Sequence, residues 1–316
     1  MSVFFQALQS MFSLTLLCCI GYMVARKGWV QAETEIFLPR LLTTVVLPPF
    51  LMGNVVSHFQ REALAHLIWG SLLPLVSIVV SFLVFLCLAW LCRVDATHRR
   101  VFATAACTSN TMFIGIPVGT ALFGESAIVY VLLYFFGNTV FFWTIGNYCI
   151  ACEGQTNRTR PDVREIVRRI FSPPLCGMLA GLAIVFMGIP LPGFVSDTCR
   201  YLGNLATPLA LLYIGMMLHH VDCKNQPLGK DMLLALTLRL VVSPCILVTI
   251  SWMIPLQEMQ KQVFVILAGL PCMANIAIVS AWHGADKTFA SAFVAVSTIV
   301  AMLTIPVWMT VLAHLA

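Results

Sequence analysis

Apolar runs of roughly twenty residues recur along the chain, parted by short polar stretches. A helix needs about 20 residues to cross a hydrocarbon core about 30 Å thick, so most of these runs have the length of a membrane span. Ten spans are predicted, over 4–25, 37–56, 67–92, 101–123, 127–150, 173–188, 202–219, 232–253, 263–282 and 289–312. The sixth is short, so its start is expected to reach back toward Ile166, with Pro173-Pro174 as a kink or a late start. The longest polar stretch, Glu153 to Arg169, leaves five spans on either side. It divides the chain into a first repeat (1–152), a linker (153–165) and a second repeat (166–316).

Two of the runs are interrupted. In the fourth, Cys107 to Phe123 holds Thr108, Ser109, Asn110, Gly115, Pro117 and Gly119. In the ninth, Gly269 to Gly284 holds Pro271, Asn275, Ser280 and His283. A proline lacks the N–H of the helix ladder and its ring crowds the preceding turn. Glycine permits local opening or close packing. In a bilayer such a break survives only where it is buried in protein or lines a polar cavity. Interrupted spans at corresponding places in two halves point to the solute site of a transporter. Spans 2 and 7 echo each other as well, each with proline near the middle. Five spans per half is an odd number, so the second half is expected to be inverted relative to the first.

Composition supports the spans. Apolar types make up 60% of the 316 residues and charged types 10%, against about 25% charged in ordinary soluble domains. Mean hydropathy is +0.93. The net charge of +5 does not imply nucleic acid, because the basic residues flank spans and form no contiguous soluble face. Most of the 12 cysteines lie inside apolar runs and read as small apolar residues; Cys149 and Cys152 form a lone CxxC. The first run carries no basic residue ahead of it, so it reads as a retained span rather than a signal peptide.

Orientation follows from the basic residues. With the N-terminus outside, the cytoplasmic segments hold Arg26, Lys27 and Arg40; Arg93, Arg99 and Arg100; Arg158, Arg160, Arg164, Arg168 and Arg169; Lys224 and Lys230; and Lys287. The outer loops hold Arg61, Arg200 and Lys261. This skew is the positive-inside pattern, and it places both termini outside the cytoplasm.

Asn110 and Asn275 lead the candidate solute contacts. Each lies in an interrupted span that also carries a proline, and each side chain both donates and accepts. Their alternative role is to satisfy local backbone. Pro117 and Pro271 are the candidate breakers, and Gly115 a close-approach residue. Thr108 and Ser109 offer hydroxyls to solute or to their own helix. Tyr134 and Asn138 either line the cavity or pack within it. Arg239 lies about 10 Å into span 8 by helical rise, with no acidic residue in that span to pair with it. A carboxylate solute is one candidate partner, and snorkelling to the headgroups is the other reading. His283, where span 9 ends, is the candidate for a coupling proton. No acidic residue lies deep in a span. A sodium site of carbonyls and hydroxyls needs none, so sodium coupling, proton coupling and uniport stay open, and no cofactor is implied.

The stretch Asn110-Thr-Met-Phe-Ile-Gly-Ile-Pro117 resembles a signature of the auxin efflux carrier family. Pro271-Cys-Met-Ala-Asn275 with Ala281-Trp-His-Gly284 resembles its second-half counterpart. Phe171-Ser-Pro-Pro-Leu175 is similar to the family's asparagine-proline-proline start of the sixth span, with Ser172 in place of asparagine. The resemblance covers essentially the whole chain. The short linker makes it similar to the compact bacterial branch, which includes malonate transporters. It implies an all-α polytopic membrane protein of ten helices in two inverted five-helix repeats, with helices 4 and 9 broken and crossing, similar in fold to the bile-acid sodium symporters. It further implies a scaffold of spans 1, 2, 6 and 7, a moving body of spans 3–5 and 8–10, an elevator motion, a homodimer through the scaffold and a place in the bacterial inner membrane, with periplasmic termini. The expected function is secondary transport of a small organic anion such as malonate. The alternatives are another solute, such as an amino acid, in the same fold, or an anion channel, although no filter motif is seen. An enzyme is not expected, because no His/Asp/Glu/Cys constellation gathers at one interface.

Overall fold

The computed structural model describes residues 2–58, 64–154, 164, 167, 170–220, 229–254 and 256–315. Arg61, Arg158, Arg160, Arg168, Arg169, Lys224 and most of the 153–165 linker lie outside the described residues. The named elements are helical, and one isolated antiparallel bridge joins Ser109 to Cys272.

The first half contains α1 (Ser2–Arg26), α2 (Ala32–Leu41), α3 (Leu47–His58), α4 (Leu64–Leu91), α5 (Arg99–Cys107), α6 (Ile116–Phe123), α7 (Ile128–Phe141) and α8 (Asn147–Glu153). The second contains α9 (Pro173–Met187), α10 (Gly193–Gly203), α11 (Ala206–His220), α12 (Lys230–Thr237), α13 (Ser243–Ser251), α14 (Glu258–Ala268), α15 (Asn275–His283) and α16 (Lys287–Leu315). Among the described residues, seven helical stretches are long and apolar enough to cross a membrane: Leu8–Arg26, Phe37–His58, Leu72–Leu91, Glu125–Glu153, Gly193–His219, Lys230–Ser251 and Lys287–His314. These make the chain a polytopic membrane protein. Spans 4, 6 and 9 of the sequence reading are built differently. The fourth divides into α5 and a shorter Thr111–Phe123 stretch, the ninth into α14 and α15, and the sixth is the 15-residue α9. Pro173 and Pro174 open α9 rather than kink it; proline suits the first helical positions, where its missing N–H is not needed.

Single π turns join several of these pieces into continuous rods: Leu42–Val46, Thr111–Gly115, Phe142–Gly146 and Leu238–Val242. The first, second and fourth each end two residues before a proline, namely Pro48, Pro117 and Pro244. A wider turn accommodates a residue that cannot donate to the ladder.

The halves interleave. α1 packs on α11, and α3 on α9 and α10. α4 packs on α5, α7 and α13, α13 on α14, and α16 on α1 and α15. Glycine from both sides brings one of these pairs, α1 and α11, together. A Cβ on Gly21 would lie 2.2 Å from the Leu212 carbonyl oxygen, and one on Gly215 would lie 1.9 Å from that of Cys18. The α1–α11 backbones therefore touch directly, as small residues allow between membrane helices. Phe85, Phe102, Phe141, Phe264 and Phe293 fill the interior, whereas Phe12, Trp90 and Leu303 are exposed. That outward face suits lipid rather than water.

Candidate functional site

The chain leaves helical geometry at Thr108, where the backbone turns extended (φ −99°, ψ 139°), and Asn110 closes the gap before the Thr111–Gly115 turn. The second gap runs from Gly269 to Ala274. The two gaps pair with each other. Asn110 N donates to Pro271 O at 2.9 Å, and Met273 N donates to Thr108 O at 3.3 Å. On its other edge Ser109 is held by the Asn138 side chain: Ser109 N donates to Asn138 Oδ1 at 3.0 Å and Asn138 Nδ2 donates to Ser109 O at 2.9 Å. Cys272 N is met in a comparable way by Ser297 Oγ at 3.1 Å. Backbone groups released by a break in a low-dielectric interior need such partners.

Arg239 lies in the Leu238–Val242 π turn and is completely buried. Its Nε donates to Leu270 O at 2.8 Å and its Nη1 to Ala106 O at 3.1 Å. Its Nη2 donates to Ser109 Oγ at 2.6 Å and also to Ala268 O. Four of the five donors of a guanidinium are thereby placed on protein acceptors. Three of these acceptors are carbonyls at the C-terminal ends of α5 and α14, where helix carbonyls lack partners and carry partial negative charge. The sequence suggested a solute carboxylate or the headgroups as partners because span 8 lacks an acid. The guanidinium is fully buried, and in this conformation its partners are three carbonyls and the Ser109 hydroxyl, a pairing that residue types do not reveal.

Beside the paired gaps lies a small cleft lined by Ser109 through Phe113, Phe135 and Met273 through Asn275. The Thr111–Phe123 stretch and α15 begin at it, so two helix N-termini meet there. Asn110 is 2% exposed. Its Oδ1 accepts from Phe113 N at 3.4 Å, but its Nδ2 is buried without a partner. A buried, unpaired donor is costly and marks a place for an acceptor. N-terminal N–H groups and their dipoles favour negative charge.

The other candidates divide. Thr108 Oγ1 is turned back onto Thr104 O at 2.8 Å. Ser109 Oγ donates to Leu267 O at 2.8 Å and lies 3.4 Å from Tyr134 Oη. Tyr134 and Asn138 are fully buried against the first gap and do not line the cleft. Gly115 is a close-approach point: a Cβ there would lie 3.0 Å from Leu270 Cδ1 and 3.1 Å from Leu267 Cδ2. Pro271 sits at the second gap, but Pro117 lies inside α6, several residues beyond the first, where the π turn accommodates it. His283 stands apart near α8, with Nε2 2.9 Å from Asn147 Oδ1. Ser297 was not singled out from the sequence; a lone serine in an apolar run is the signal it offered. Phe135 and Met273 carried none.

A family profile described as "Membrane transport protein" matches residues 6–309. An uncharacterized transporter of Methanothermobacter thermautotrophicus is 24% identical over 98% of this chain and 100% of its own length. An uncharacterized transporter of Methanocaldococcus jannaschii is 20% identical over 93% of this chain and 94% of its own. A Rhizobium meliloti protein named "Putative malonate transporter" is 25% identical over 90% of this chain and 89% of its own. These relatives are transporters by name and not enzymes. With the match running almost end to end, the chain belongs to the membrane transport protein family, the auxin efflux carriers of the sequence reading.

Proposed function

We propose that this chain is a secondary transporter that moves a small organic anion, of the malonate class, across the bacterial inner membrane. The observation that carries this is the cleft at the paired gaps, where two helix N-termini begin and which is lined by Asn110, whose buried Nδ2 has no partner. A carboxylate fits such donors, because it accepts several hydrogen bonds and complements the N-terminal dipoles. Asn110 and Asn275 are the proposed contacts. The relative named for malonate supports the class of solute.

In this reading ten spans form two inverted repeats with both termini in the periplasm. Spans 1, 2, 6 and 7 form the fixed frame, which two copies share in a homodimer, and spans 3–5 and 8–10 carry the cleft in an elevator motion. The close packing of α1 on α11, and of α3 on α9 and α10, supports the frame. Membership in the family supports the rest.

The test is uptake of labelled malonate into proteoliposomes, with and without imposed sodium and proton gradients. Saturable uptake by the unaltered chain, lost in folded Asn110→Ala and Asn275→Ala, is the expected result. A folded chain that takes up no malonate under any gradient would remove malonate as the solute. Conduction without saturation would replace the carrier by a channel.

A further inference from the structure

Four half-helix ends converge on the paired gaps. α5 and α14 bring their C-terminal, partly negative ends; the Thr111–Phe123 stretch and α15 bring their N-terminal, partly positive ends. Left alone, the opposed ends would largely cancel in the field they place on a nearby charge. The chain does not leave them alone. The Arg239 guanidinium lies against Ala106 O of α5 and against Ala268 O and Leu270 O at the end of α14. About half an elementary charge resides at each helix terminus, so one guanidinium balances two C-terminal ends. The positive N-terminal ends at the cleft are then uncompensated. None of the cleft-lining residues is acidic.

We propose that Arg239 is a positioning residue that sets the sign of the solute by neutralising the two C-terminal ends, without touching the solute itself. The inference rests on the cleft being the solute site and deepens that reading: the solute class is anionic because of a residue whose partners are carbonyls, the Ser109 hydroxyl and the Tyr134 phenol, none of which lies on the solute. It explains why a fully buried cation is held without an acidic partner among its hydrogen bonds. A carboxylate in that place would cancel the guanidinium and return the negative ends to the cleft.

The test uses the purified full chain in nanodiscs, with Arg239→Gln and Arg239→Lys beside the unaltered arginine. One readout is binding of malonate and of its uncharged diamide, malonamide. Arg239→Gln is expected to weaken malonate by about tenfold or more and malonamide by less than about twofold, whereas Arg239→Lys, which keeps the charge, restores most of the preference. The second readout needs no ligand. An Ala274→Cys thiol placed in the cleft reports the local field through the pH dependence of its alkylation by iodoacetamide, read by mass spectrometry at residue 274. Arg239→Gln is expected to move the profile up by about one pH unit relative to the arginine chain. Equal loss of both ligands, or a profile unmoved by Arg239→Gln, assigns the arginine to packing and overturns the proposal. Should the glutamine variant not fold, a thiol at residue 274 that reacts at no lower pH than the native half-buried Cys149, read in the same spectra, overturns it as well. A chain that binds no malonate but shows the shifted thiol would sink the malonate reading and leave the role of Arg239 standing.

Discussion

Asn138→Ala removes the clamp on the first gap. Its amide holds both backbone groups of Ser109, at 3.0 and 2.9 Å, and the residue has no solvent exposure. Alanine leaves a buried N–H and a buried C=O without partners. An unsatisfied buried group costs about 1–3 kcal/mol, while polar contacts between membrane helices average about 0.6 kcal/mol and reach about 1.7. Taking about 1–2 kcal/mol for each of the two groups gives about 2–4 kcal/mol. At roughly 2 °C per kcal/mol for a chain of this size, the midpoint of thermal unfolding in detergent should fall by about 4–8 °C. Ser109 also holds Arg239 at 2.6 Å, so malonate uptake should fall with it. The control is the next residue along: Thr139 is buried and its hydroxyl has no partner. Thr139→Val keeps the shape, loses no hydrogen bond and relieves a buried unpaired hydroxyl, so its midpoint should not fall below that of the unaltered chain. An Asn138→Ala midpoint no lower than that of Thr139→Val would refute the argument that the gap depends on this side chain.

Two further outcomes follow from the packing and the charges. Gly215→Leu should separate α1 from α11, since even a Cβ there would lie 1.9 Å from Cys18 O; the expected loss exceeds about 2 kcal/mol, and a midpoint equal to that of the unaltered chain would refute the direct backbone contact. His98 places Nε2 3.0 Å from Asp231 and Nδ1 3.2 Å from Asp286 while its ring stacks on Phe289. His98→Phe keeps the stacking and loses both contacts, so it should cost about 1–2 kcal/mol; a midpoint equal to that of the unaltered chain would assign the role of His98 to stacking alone.

The membrane character of the chain, and the neighbourhood of both interruptions, were already legible in the residues. Length and polarity of an apolar run depend only on what stands next to what, and the same holds for an asparagine and a proline set in such a run. The opening itself was less visible: Pro117 marks the fourth span as broken, yet the gap lies at Thr108–Asn110, and a π turn precedes the proline instead. His283 reads as a titratable group near a break, but α15 carries it away from the cleft to Asn147.

What only the tertiary structure decided is pairing. Asn138 and Ser109 are 29 residues apart, and Arg239 reaches Ala106 across 133. Nothing in either residue type names its partner. The acceptors of Arg239 are mostly backbone carbonyls, which every residue carries, so the sequence could show an unpaired cation but not what balances it. A side chain's propensity acts within a turn or two of its own position, whereas the field at the cleft is a sum over four helix ends brought together from both halves of the chain. The sequence determined that the two spans break, and the fold decided that the breaks meet and which helix ends and which cation come together there.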